Sequence, residues 1–126
     1  MKESIASGLI IIFLFSLCFI TAGITVNFCT VLQKNTAECV TSIKSEDWNN
    51  SDLILQRTQE IFDKKAPLLK TFCIHKDIND IQNALSSLRI AISTQNKGEC
   101  LLRANVLFSS LDILLNSDHF NIENIL

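Results

Sequence analysis

Between Ile5 and Val26 the chain runs for 22 residues, IASGLIIIFLFSLCFITAGITV, without one charged side chain. As a helix this segment rises about 33 Å, slightly more than the ~30 Å hydrocarbon layer of a bilayer. Helices buried inside water-soluble proteins almost never run so far without a charge, so the segment is read as a membrane anchor through residues 5–26. A cleaved signal peptide is the competing reading, with Thr21-Ala22-Gly23 offering small residues at a cleavage position. The apolar run continues through Val26 and Phe28, past the usual 7–15-residue signal core, and the positive region ahead of it holds only Lys2 and the terminal amine. Both features favour a permanent anchor.

The lysine and arginine asymmetry across the segment is slight, with Lys34 on the far side. The commoner arrangement is a short amino terminus inside and the body outside. The expected location is therefore the cell membrane, single-pass, with the carboxyl-terminal domain outside the cytoplasm. About four residues would remain inside, too few to relay a signal.

The remaining residues, 27–126, are expected to form one extracytoplasmic domain. Three glycines and one proline are few breakers for 126 residues, which favours long helices over strands. Eleven basic residues against 13 acidic ones give neither a basic face for nucleic acid nor a field that steers a charged substrate.

Helical periodicity is continuous. Phe28, Leu32, Cys39 and Ile43 form a stripe that prolongs the anchor helix beyond the membrane. Ser45-Glu46-Asp47 supplies a stop and a new N-cap with acids in the first turn. Trp48, Leu55 and Phe62 recur every seven residues on the next helix, with Ile54, Ile61 and Leu69 beside them, and Pro67 is expected to kink or end it. Ile78, Ile81, Leu85, Leu88 and Ile92 make the clearest seam, with Ile74 expected on the same line.

After a turn at Gln95-Asn96-Lys97-Gly98, a last helix repeats the seam with Leu101, Ala104, Phe108, Leu111 and Leu115. A second apolar row on it comprises Cys100, Leu107 and Leu114. So broad a face implies a central helix or one side kept for a partner. The fold class is all-α: an N-terminal transmembrane helix followed by an antiparallel helical bundle. The apolar tail Phe120–Leu126 is expected to fold back onto that bundle.

The stretch CIHKDINDI, Cys73–Ile81, collects a thiol, an imidazole and two carboxylates. Helix-end chemistry accounts for them: Asp77 as N-cap, Asp80 near the helix amino end, and His75 at the carboxyl end of the preceding helix. A binding site on His75, Asp77 and Asp80 is the sharper alternative. A metal centre would need three or four converging ligands, and His119 is the only other histidine. No His-x-x-x-His or Cys-x-x-Cys pair and no oxyanion motif accompany them, so no cofactor and no enzymatic activity are expected.

Cys29 and Cys39 stand about 15 Å apart on one helix, too far to bond each other. Two bridges to Cys73 and Cys100, one bridge, or none remain open, since each cysteine also fits an apolar helix position.

Several pieces together resemble one known family. They are the hydrophobic amino-terminal segment, DWNNSD at Asp47–Asp52, Phe62 ahead of Lys64-Lys65, FCIHKDINDI at Phe72–Ile81, LSSL at Leu85–Leu88, and the closing NIENIL. The chain is similar to the family catalogued as domain of unknown function 4363, small singly anchored proteins of Gram-positive bacteria. Phe62 stands where that family suggests tryptophan, and Pro67 is atypical for it. The resemblance implies no established activity and transfers no catalytic residue. It hints at an accessory subunit, because similar proteins are encoded beside other small membrane proteins. The functional expectation is an anchored module that binds another membrane protein, with the alternative of a ligand- or metal-binding domain centred on His75.

Overall fold

The computed structural model describes every residue except Phe72 and Leu126, and for residues 117–126 no side chain is described. Four helices follow one another: α1 (Lys2–Lys44), α2 (Trp48–Leu69), α3 (His75–Ser93) and α4 (Lys97–Ile125). No strand occurs among the described residues. Each helix packs against its neighbour in sequence and α4 returns to α1, closing a four-cornered antiparallel bundle.

α1 is a single rod of 43 residues, about 64 Å long by helical rise. Its amino-terminal part is long and apolar enough to cross a membrane, and Leu9 through Leu14 are exposed. Its carboxyl-terminal part is one corner of the bundle. The first fully buried residue is Thr25, and Phe28, Leu32, Cys39 and Ile43 form the expected stripe. The helix crosses residue 26 without interruption. No linker separates the apolar segment from the bundle.

Both turns at the far end use a non-glycine residue in the left-handed region, Glu46 with φ 59° and Gln95 with φ 55°. The expected stop and cap fall within Ser45-Glu46-Asp47, where Asp47 itself caps α2, its carboxylate accepting from the Asn50 N–H at 3.2 Å, and no acid stands in the first turn. The Asn96 side-chain oxygen accepts from the Glu99 N–H at the start of α4. Pro67 marks the end of α2, as expected. It lies in the last turn, and the helix ends two residues later at Leu69.

The core seam of α3 is the predicted one, with Ile78, Ile81, Leu85, Leu88 and Ile92 buried and Ala84 and Ala91 between them. On α2, Ser51 and Thr58 join Leu55, Phe62, Ala66 and Leu69 in the buried seam. Their hydroxyls donate to the carbonyls of Asp47 and Ile54, one turn back, so small polar residues pack here without an orphaned group.

On α4 the expected second row Cys100, Leu107 and Leu114 is buried together with Ala104 and Leu111 of the expected seam, while Leu101 and Leu115 are only half-buried flanks, so the face is narrower than expected. Nor is α4 central, because it is one of four corners and packs on α1 and α3 alone. Leu102, Val106 and Ile113 remain 55%, 43% and 56% exposed. At 100° per residue these three fall within about 40° of one line, opposite the buried seam. The expected docking of the tail from Phe120 concerns side chains outside the described residues.

Candidate functional site

CIHKDINDI occupies the corner between α2 and α3, but its residues take other places than the sequence suggests. The N-cap of α3 is Ile74, without a side-chain cap bond, and Asp77 lies inside the first turn. Backbone N–H groups of Asp77 and Ile78 donate to the Ile74 carbonyl at 3.1 and 3.3 Å. The extended Ile74 thus opens α3 through its backbone carbonyl, and no side chain caps the helix. Asp77 still fits the dipole, since a carboxylate in the first turn faces the positive helix end.

His75 is not at the carboxyl end of α2, which terminates at Leu69; it is the first residue of α3. That end favours anions, reversing the expected helix-end role. His75 is exposed, Asp77 is buried, and Asp80 is half-buried with its carboxylate 3.6 Å from Lys76. Ile74 faces outward rather than continuing the seam. The three candidates therefore point into three environments. Among the described residues no group of three or more histidine, cysteine or acidic side chains can hold a metal ion.

The cysteines divide between the two ends of the bundle. Near the corner, the Thr25 hydroxyl and the Cys73 thiol lie 3.7 Å apart. At the opposite end, the Cys39 thiol donates to the Ser51 carbonyl at 3.6 Å. Burial above all, then the neighbouring Cys100 and Asp52, push Cys39 up to about 12 from 9.0. Cys100 is raised as well, chiefly by burial and then by Glu99. Thiolates are the reactive form, so both groups pack as small hydrophobes.

A pH dependence follows. Because the folded Cys39 value lies above the unfolded one, its contribution to stability is complete below pH 9 and is lost as pH rises toward 12. Cys39→Ala should flatten the alkaline limb of a stability-against-pH curve between those values. An unchanged limb would mean that this thiol ionises as easily folded as unfolded.

No buried side-chain nitrogen or oxygen among the described residues lacks a hydrogen-bond partner. The core thus offers no unsatisfied polar atom for a ligand. A groove of about 360 Å³ runs between α2 and α3, with Phe62 and Ala66 on its floor and Asp63, Lys70, Asn79 and Gln82 around it. Gln59 and Gln82 bridge the same two helices at 3.0 Å.

Two surface features escaped the sequence reading. One is the outward row Leu102, Val106 and Ile113, hidden by a helix that is apolar on both sides. The other is the corner itself, where Lys64, Lys65, Lys70 and Lys76 are exposed and residues 64–76 contain no acid. The lysines are visible in the sequence; their nearness to the apolar part of α1 is not.

The family described as Domain of unknown function (DUF4363) matches residues 19–125. No curated protein and no solved structure matches the chain.

Proposed function

This chain belongs to the DUF4363 family, a membership that brings no activity with it, and we propose that it is a single-pass anchored helical module that acts by binding. Its anchor is the uncharged part of α1, its body stands outside the cytoplasm, and its partner is another membrane protein for which it serves as an accessory subunit. The observation that carries this reading is the outward row of α4. Leu102, Val106 and Ile113 keep apolar surface in water on the side away from the core, and such a row is the usual docking face of a helix for another helix. Ile90 adds a further exposed apolar side chain on α3.

Binding without chemistry fits the thiols, which burial holds protonated at Cys39 and Cys100. The rival reading, a ligand or metal site centred on His75, draws less support. His75 is exposed, and Asp77 is turned into the bundle away from it.

A photoactivatable phenylalanine analogue placed at Val106 in the full-length chain tests the proposal in native membranes. A discrete crosslinked product is expected from Val106 and not from exposed Arg57 on α2. Recovery of the monomer alone from both positions would remove the basis for a docking face, and a product of twice the chain's mass would make the partner a second copy.

A further inference from the structure

The end of the bundle nearest the apolar segment is the α2–α3 corner. Thr25 touches Cys73 at 3.7 Å, and the rings of Phe28 and Phe62 stand 6.0 Å apart. Cys39 meets Ser51 in the same antiparallel register. Continued along both helices, that register sets Leu69 about level with Thr21 at 1.5 Å per residue. The corner therefore overlaps the last turns of the uncharged segment.

Length turns this overlap into a constraint. From Ile5 to Ile20 no α1 side chain packs into the bundle core, and that stretch rises about 24 Å against a ~30 Å hydrocarbon layer. The remaining ~6 Å comes either from local thinning of the bilayer or from residues already flanked by the corner. In both cases the corner is pressed to the lipid boundary. Since α1 has no break, the bundle cannot swing away.

What the corner presents suits that position. Leu68 and Ile74 are 46% and 53% exposed although both are large and apolar. Around them stand exposed Lys64, Lys65, Lys70 and Lys76, four of the chain's 11 basic residues. Of the nearby acids, Asp77 is buried and Asp80 lies 3.6 Å from Lys76, whose side chain remains 82% exposed. Asp63 precedes the run by one residue. Apolar side chains ringed by lysines are the composition of a segment that rests in a headgroup layer, with stems in the acyl boundary and ammonium groups at phosphates.

We propose that the α2–α3 corner is a second membrane contact, in which Leu68 and Ile74 enter the lipid boundary and Lys64, Lys65, Lys70 and Lys76 bind the phosphates of anionic lipids. The inference rests on the anchor reading of α1. It assigns the bundle a fixed seating on the bilayer, with the outward row of α4 held at a set height for a neighbour in the same membrane.

Trp48 is the single tryptophan, so Ile74→Trp in a Trp48→Phe background gives a single reporter. The full-length variant is placed in phosphatidylcholine vesicles, with and without phosphatidylglycerol, whose acyl chains are brominated near the headgroup. Flotation measures the anchor independently. The indole at position 74 should lose most of its emission, more so with phosphatidylglycerol, whereas one introduced by Leu53→Trp at the far end should keep it. Exchanging the four lysines for glutamine should abolish the dependence on anionic lipid. A chain that floats with an unquenched indole at 74 overturns the second contact and leaves the anchor standing. Failure to float overturns the anchor reading, and this inference with it. Quenching that is equal in both lipids and in the lysine variant overturns the phosphate contact.

Discussion

Leu111→Ala should lower the thermal midpoint of the bundle by roughly 8–40 °C, whereas Ile113→Ala, two residues away, should leave it nearly unchanged. Leu111 is fully buried and Ile113 is 56% exposed. Truncating a buried leucine removes its transfer free energy and leaves a cavity, together about 2–5 kcal/mol. For a domain of this size each kcal/mol moves the midpoint by about 4–8 °C. An exposed apolar side chain outside the core changes stability by about 0.5 kcal/mol or less. The contrast has a second use, because Ile113→Ala removes part of the proposed docking row and spares the fold. Crosslinking from Val106 should weaken in that variant while circular dichroism and the midpoint stay put. Equal effects of the two substitutions on the midpoint would mean that α4 is buried on both sides.

The second large effect is expected at the junction. Val26→Pro removes a backbone donor and sets the proline ring against the preceding turn, at a cost of about 3 kcal/mol or more inside a helix. Val26 is 50% exposed, so the change leaves the core untouched and acts on the rod alone. Unfolding of the full-length chain in detergent, followed by circular dichroism, should show the loss, and Val26→Ala should not. A tolerated proline would show that α1 is two helices joined by a hinge, which would also remove the constraint on which the proposed corner contact rests.

Much of this architecture was legible because burial leaves a period in the sequence. The α3 seam needs correction only at Ile74, which lies ahead of the helix and outside it: Ile78, Ile81, Leu85, Leu88 and Ile92 stand among polar residues and define one face. The cap of α2 is legible only as a triplet, Ser45-Glu46-Asp47, since each residue could accept from an amide N–H; the turn geometry gives the role to Asp47 and leaves the first turn without an acid. On α4 the face legible in the sequence is broader than the buried one. Apolar residues occupy both sides of that helix, so two rows fit the period equally well, and only contact with α1 and α3 selects between them. Ser51 and Thr58 were passed over because a hydroxyl that bonds back to its own helix packs as though apolar.

The corner was misread for a local reason. Helix-end rules made Asp77 the cap and gave His75 to α2, but α2 closed early, after Pro67, and an extended Ile74 began α3. The three candidate residues were thereby scattered, His75 to solvent, Asp77 to the interior and Asp80 toward Lys76. What the sequence withheld was distance across the fold. Thirty-eight residues separate Ile20 from Thr58 in the chain, and the lysines lie beyond that; only the antiparallel register of α1 and α2 returns them to the apolar segment.

Alkaline carbonate extraction of membranes carrying the intact chain, with the amino-terminal peptide identified by mass spectrometry, tests the anchor most directly. The segment from Ile5 to Val26 should hold the uncleaved polypeptide in the pellet. Full-length protein in the supernatant, or a mature chain beginning near Gly23, would contradict it.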